Sequence, residues 1–206
     1  MLADHKGLPI LSFASREAWA SWLGENHATV AGVWLKFAKQ ASGLASVEKS
    51  EAIEAALVHG WIDGQLDGFD EQFWLVRFTP RGPKSKWSQM NRATAEALIA
   101  DGRMMAGGLA EVERAKRDGR WDGAYPPQSR AEIPDDLTAA LEAQPEAKAF
   151  FSTLKGANRY AVLYRIHDAK TPKTRASRIA KFVSMLALGK TVYPLNAVTP
   201  AGRPPR

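Results

Sequence analysis

Cysteine is absent from the 206 residues of this chain. Neither a disulfide framework nor a thiolate metal site can therefore form. The four histidines are His5, His27, His59 and His167. They lie far apart in the sequence, and none has the His-x-x-x-His spacing of a helical zinc site. We therefore expect neither a metal nor another cofactor.

Long hydrophobic runs are also missing. No stretch approaches the roughly 18 consecutive apolar residues that a membrane-spanning helix needs. The start of the chain carries Lys6 but no apolar segment of the signal-peptide type behind it. We therefore expect no transmembrane segment and a cytoplasmic location.

Motifs that specify a reaction are equally scarce. Neither the Gly-x-Gly-x-x-Gly fingerprint of dinucleotide folds nor the Gly-x-Ser-x-Gly elbow of hydrolases occurs. Gly189-Lys190-Thr191 looks like the end of a phosphate-binding loop, but Ser184 occupies the position of the first glycine. The tripeptide also ends a predicted helix, whereas a phosphate-binding loop precedes one.

The chain does carry an excess of positive charge and many tryptophans. Its net charge is +6 with a pI near 9.6, and seven tryptophans promise a strongly aromatic core or groove. A basic chain favours anionic partners such as nucleic acid, anionic lipid or a phosphorylated or carboxylated small molecule. Acidic residues are interspersed among the lysines and arginines, however, which is equally typical of a solvated surface.

Hydrophobic periodicity predicts alternating strands and helices in the first half. A period of two predicts strands over 8–14 and 30–39, and a helical period predicts helices over 16–25 and 46–59. Asp67-Gly68, between the β-prone runs 62–66 and 72–78, predicts a hairpin. Its loop can be longer than two residues.

The remainder is helical by pattern. A helix to about residue 100 should bury Met90 and Leu98, and the next unit, 103–121, should bury Leu109 and Val112. Further helices are expected over 135–143, 146–154, 158–167 and 171–188. The fold class is therefore α+β, a small antiparallel sheet with helices in the N-terminal half and an all-helical C-terminal half packed on it.

Four segments follow from this pattern. They are an α+β half with hairpin and basic loop (1–91), a helical connection (92–133), a C-terminal helical segment (134–190) and a disordered tail (191–206). No internal repeat is present, and the oligomeric state is not encoded in any pattern we find.

The densest group of cations beside an aromatic residue follows the hairpin. Two prolines and a glycine preorganise this loop, so that its cations could clamp an anion while an indole stacks on a ring. The candidate ligand-binding residues are Asp63, Gln65, Arg77, Arg81, Lys84, Lys86, Trp87 and Asn91. Alternatively, Trp87 plugs the core and the lysines only solubilise the loop.

Two other groups are weaker candidates. His59 with Asp63 is the one pair suited to proton transfer, although His59 at a helix C-terminus can simply interact with the helix dipole. Arg175, Arg178 and Lys181 form a secondary basic row on the last helix. Nucleic-acid binding by this row ranks lowest, because no aromatic stacking platform accompanies it.

A family resemblance covers residues 8–190. In the C-terminal part it is carried by Pro134-Asp135-Asp136-Leu137, Ala140-Leu141, Pro145, Ala147, Phe151, Ala169-Lys170, Thr174-Arg175 and Arg178-Ile179. In the first half it is carried by Gly60-Trp61-Ile62-Asp63-Gly64, Arg77-Phe78-Thr79-Pro80-Arg81, Lys84-Ser85-Lys86-Trp87-Ser88 and Asn91. These segments resemble the bacterial bacteriocin-protection family, also called YdeI/OmpD-associated. The resemblance implies a role in withstanding bacteriocins or cationic antimicrobial peptides, with association with the cell envelope, and it brings no catalytic residues.

Three functions therefore remain open. The first is a non-enzymatic stress or bacteriocin-resistance protein that binds an anionic small molecule or protein partner through the basic, Trp-containing loop. The second is an enzyme with a pocket between sheet and helical half that uses Asp63, Arg77 and, in one version, His59. The third is a nucleic-acid-binding protein.

Overall fold

The computed structural model describes residues 4–194. Most of the expected tail, residues 195–206, lies outside this range. The chain divides into two compact units, an N-terminal unit Met1–Ala124 and a C-terminal unit Tyr125–Arg206.

A five-stranded sheet forms the centre of the N-terminal unit. Its strands are β1 (Asp4–His5), β2 (Leu8–Leu11), β3 (Val33–Ala38), β4 (Trp61–Gly68) and β5 (Phe73–Pro80). The spatial order is β1-β2-β3-β5-β4, and every neighbouring pair is antiparallel except β2 with β3. The α+β class is thus confirmed.

Four α-helices complete this unit. They are α1 (Arg16–Asn26), α2 (Lys49–Val58), α3 (Gln89–Ala100) and α4 (Ala106–Arg117), with a short 3-10 turn at Gln40–Ser42. Ser15 and Ser88 cap α1 and α3, because each hydroxyl accepts a hydrogen bond from a backbone N–H in the first turn. Ser15 directly precedes the predicted helix 16–25.

One face of the sheet packs on α1 and α2. Alternate residues of β3 and β5 point to this face and join the helices in a buried cluster. Trp19 is fully buried there, and its indole N–H donates to the carbonyl of Ala52 at 3.1 Å. On the opposite face, Ile10, Trp34 and Leu75 form a smaller buried cluster.

A second core of the N-terminal unit lies between the end of α2, α3, α4 and the segment after β5. Trp87 is its central side chain, 2% exposed and edge-to-face with Trp121 at 4.8 Å. The guanidinium of Arg81, which is itself 4% exposed, lies 3.7 Å from the Trp87 ring centroid. Burial of both groups makes this cation–π contact part of the core.

The backbone around this contact is held by arginines from elsewhere in the unit. Arg114 of α4 donates to the carbonyl of Arg81 at 3.1 Å, and Arg120 donates to the carbonyl of Ser85 at 2.6 Å. Arg81 also donates its backbone N–H to Gly60, at the end of α2. The basic loop is therefore an integral part of the N-terminal unit.

The described part of the C-terminal unit is helical. Its helices are α5 (Asp135–Glu142), α6 (Pro145–Thr153), α7 (Gly156–His167) and α8 (Pro172–Ala187), preceded by a 3-10 turn at Gln128–Arg130. They share one apolar cluster, in which Leu137, Ile166 and Leu186 are fully buried. Thr171 caps α8, and Pro172 occupies its first turn, at the start of the predicted helix 171–188.

Two expectations about inward-facing side chains are wrong. Met90 is 65% exposed and Leu109 is 41% exposed, whereas Leu98 and Val112 are buried as predicted. The buried face of α4 consists of Gly108, Val112 and Ala115, so Leu109 lies beside this face and not on it. Met90 lies in the first turn of α3, before the buried residues Ala95 and Leu98. The hairpin also differs in detail, because β4 continues through Asp67-Gly68 and the loop begins at Phe69.

Truncation of the second core should be costly. We predict that Trp87→Ala lowers the free energy of unfolding by about 3–5 kcal/mol, because a buried indole is lost and a cavity remains. Lys84→Ala, at an exposed position of the same loop, should change it little. Urea unfolding of both variants measures the difference. If the Trp87 variant is as stable as the wild type, the indole does not pack in the core and is available to stack on a ligand.

Candidate functional site

The residues expected to form an anion clamp are distributed between the interior and the surface. Arg81 and Trp87 lie in the second core of the N-terminal unit, whereas Arg77, Lys84 and Lys86 are exposed. Asn91 is half-buried in the first turn of α3, where its backbone N–H donates to the Ser88 hydroxyl. The structure therefore leaves the exposed cations as the groups that solvent anions can reach.

Asp63 and Arg77 do not come together. Asp63 of β4 pairs with Phe78 of β5, and Arg77 directly precedes Phe78. Since successive residues of a strand point to opposite faces, the two side chains leave the sheet on opposite sides. Gln65 lies in an irregularity of β4 between Asp63 and Leu66. The acid–base arrangement considered for Asp63 with Arg77 has no support from this register.

His59 lies next to another histidine. It is the C-cap residue of α2, and its ring centroid is 4.9 Å from that of His27, the C-cap residue of α1. The Nδ1–H of His27 donates to the carbonyl of Leu23, while Nδ1 of His59 is buried without a hydrogen-bond partner among residues 4–194. No hydrogen bond therefore orients His59 toward Asp63.

The basic row of α8 is engaged within the C-terminal unit. Arg175 forms a two-point ion pair with Asp136 of α5 and donates to the carbonyl of Ile166 in α7. Arg178 donates to the carbonyl of Arg165 and lies 3.7 Å from Asp168. Lys181 is exposed. Two of the three cations thus connect helices.

A cavity of about 360 Å³ beside α7 is the feature that sequence reasoning missed. Tyr160, Tyr164 and His167 of α7 form one wall, because residues four and three apart share a helix face. This spacing was the available signal in the sequence. The opposite side is formed by residues of the segment from Pro126 to Asp135 and by Arg175.

The wall side chains are held in place. The hydroxyl of Tyr160 donates to the carbonyl of Pro126 at 2.8 Å. Burial, with Tyr125 and Tyr164 nearby, raises the pKa of Tyr160 to about 12, so its phenol is neutral at physiological pH. Tyr164 stacks edge-to-face against Tyr125 at 5.0 Å. The aromatic wall is therefore held by contacts within the C-terminal unit.

A second hollow of about 350 Å³ shares this wall. Tyr160 and Tyr164 separate it from the first cavity, and Tyr125, Tyr193 and Arg165 complete its lining. All four tyrosines of the chain thus lie around these two hollows. Such a concentration of phenol rings distinguishes this region from the core of the same unit, whose buried aromatic residues are Phe151 and Phe182.

Among residues 4–194 no group of three or more His, Asp or Glu side chains could hold a metal ion. Within the same residues, every helix is too short or too polar to cross a membrane.

The histidine pair should make stability depend on pH. Burial, and second the charge of His27, lowers the pKa of His59 below its ordinary value. The unfolded chain then binds more protons, so the free energy of unfolding should fall as the pH drops below about 6.5, the ordinary histidine value. His59→Phe keeps a ring but cannot titrate, and its loss of stability should be smaller. Urea unfolding across this range tests the difference, and parallel pH profiles would contradict it.

Comparison with known proteins yields two family matches and no individual relative. Residues 130–189 match the family described as "Bacteriocin-protection, YdeI or OmpD-Associated". Residues 11–111 match a "Domain of unknown function (DUF8412)". No curated protein and no solved structure matches the chain. The C-terminal segment 130–189 is therefore similar to the bacteriocin-protection, YdeI or OmpD-associated family, and it follows a segment that is similar to a domain of unknown function.

Proposed function

We propose that this protein contributes to bacteriocin protection as a non-enzymatic binding protein and that the cavity beside α7 receives its ligand. The observation that carries the proposal is the position of the cavity. Apart from Pro126, all of its lining residues lie within the family segment 130–189. Its volume of about 360 Å³ falls in the range of small-ligand sites.

The order of the cavity wall also supports binding. A site whose side chains are already fixed loses less conformational entropy when a ligand enters. Tyr160 is hydrogen-bonded to Pro126, and Arg175 is hydrogen-bonded to both Asp136 and Ile166. These contacts support a small-ligand site whose wall is already in place before the ligand binds.

The non-enzymatic character is supported by the placement of the candidate catalytic groups. Asp63 and Arg77 point to opposite faces of the sheet, and His59 packs against His27 with its Nδ1 atom unpaired among residues 4–194. General acid–base catalysis needs the participating groups within hydrogen-bond reach of one substrate. This arrangement favours binding over catalysis.

Anion binding by the basic loop is a second candidate. The observation in its favour is that Arg77 and Lys84 are exposed and that neither forms an ion pair with another described residue. Two exposed cations attract an anion weakly at physiological salt, since the solvent screens them. An acidic protein surface, with many carboxylates, would suit them better than a single small anion.

Filling the cavity tests the leading proposal. Ile133→Trp places an indole at the cavity wall and should abolish the protection that the wild-type protein confers on a bacterial host. Leu188→Trp, at a position 70% exposed in the same unit, should retain it. Growth under a panel of pore-forming bacteriocins measures protection, and thermal unfolding confirms that both variants fold. Full protection by folded Ile133→Trp would overturn the cavity as the site.

A charge reversal tests the second candidate. Lys84→Glu should weaken the binding of inorganic phosphate or an acidic peptide by severalfold, whereas Lys173→Glu changes the net charge equally at an exposed position of the C-terminal unit and should not. Chemical-shift titration gives both affinities. Equal effects of the two variants would show that net charge alone, and not the loop, attracts the anion.

A further inference from the structure

The cavity beside α7 carries more negative than positive charge that is available to a ligand. Glu132 and Asp135 line it, both are exposed, and neither forms an ion pair with another described residue. Arg175 also lines it, but its guanidinium makes hydrogen bonds of 2.5 and 2.8 Å to Asp136 and a third to the carbonyl of Ile166. The positive charge of Arg175 is thus compensated by Asp136. Glu132 has no ion-pair partner among the described residues, and Asp135 has only the N-terminus of α5, whose dipole offsets part of its charge.

The aromatic wall acts in the same direction. The face of a phenol ring carries negative electrostatic potential and attracts cations, most strongly where water is partly excluded. Tyr160 and Tyr164 are half-buried at the cavity, with ring centroids 5.8 Å apart. The hydroxyl of Tyr160 donates its hydrogen bond to the carbonyl of Pro126, so its oxygen can take part in a further hydrogen bond only as an acceptor. The phenol oxygen of Tyr160 and the carboxylates of the lining therefore favour a positive group, and the tyrosine rings offer it an aromatic contact.

We propose that the cavity binds the cationic group of its ligand, an alkylammonium or guanidinium, between the Tyr160–Tyr164 wall and the carboxylates of Glu132 and Asp135. This inference rests on the proposed function for the cavity and adds the chemical class of the ligand. The two units would then prefer ligands of opposite charge. The cavity of the C-terminal unit would bind cations, whereas the exposed cations of the basic loop, in the N-terminal unit, would attract anions.

The same chemistry occurs in two kinds of molecule. A lysine or arginine side chain of a cationic peptide presents a group with N–H donors, which would donate to the two carboxylates. A choline headgroup presents a quaternary nitrogen without donors, which would depend on the ring faces. A comparison of n-butylammonium, methylguanidinium and choline therefore identifies the source, and preference for any of them supports the proposal.

Titration of the full chain with these cations, followed by amide chemical shifts, tests the inference. The matched probe is the neutral isostere of choline, in which carbon replaces nitrogen, and acetate is the anionic probe. We expect at least one cation to bind roughly tenfold more tightly than both. Added salt should weaken its binding, as expected of charge attraction.

Two variants assign the effect to the cavity. Glu132→Gln lies outside any helix and should weaken cation binding several-fold while leaving the weaker binding of the neutral isostere unchanged. Glu146→Gln, an exposed acid of α6 that does not line the cavity, should bind as the wild type does.

Three results would overturn the inference. They are tighter binding of acetate or of the neutral isostere, no binding of any cation, and equal losses in the two variants. The proposed function fails separately, in the protection assay with Ile133→Trp. If the isostere binds best and Ile133→Trp blocks it, the cavity remains the site and only its preference for cations is wrong.

Discussion

The guanidinium of Arg175 determines both the shape and the charge of the C-terminal cavity. From α8 it reaches Asp136 of α5 with two hydrogen bonds and the carbonyl of Ile166 in α7 with a third. These bonds to charged Arg175 lower the pKa of Asp136, and the carboxylate raises that of Arg175. Both side chains are partly solvated, so the pair adds little stability. Its main effect is geometric, because a planar two-point pair fixes the relative position of three helices.

The Arg175–Asp136 ion pair also determines which charged groups of the cavity are available to a ligand. A free arginine at the cavity would favour anions, and the sequence alone suggested that reading for the basic row on α8. Because Asp136 binds the guanidinium, the lining carboxylates that have no ion-pair partner among residues 4–194 are those of Glu132 and Asp135. The binding preference of the cavity therefore depends on a contact between residues 39 positions apart. Spacing along one helix cannot reveal such a contact.

The sequence predicted those features that local physics controls. The helices that Ser15 and Thr171 cap begin where hydrophobic periodicity places them, and the α+β class follows from the same periodicity. The candidate site depended on long-range information. The strand register places Asp63 and Arg77 on opposite faces of the sheet. The tyrosines of α7 line a cavity only because the segment before α5 forms the other side of it.

Net charge was a poor guide for a related reason. Of the arginines behind the charge of +6, several donate to backbone carbonyls of their own unit: Arg81, Arg114, Arg120, Arg175 and Arg178. A guanidinium has five N–H donors, so one side chain can satisfy a carbonyl at a helix or loop end and still meet a carboxylate or an indole. Composition counts these groups as available to anions, although the fold has already engaged them. A basic chain can therefore contain a cavity that selects cations, because the attraction that a ligand experiences depends on the charges left unpaired at the site and not on the sum over the sequence.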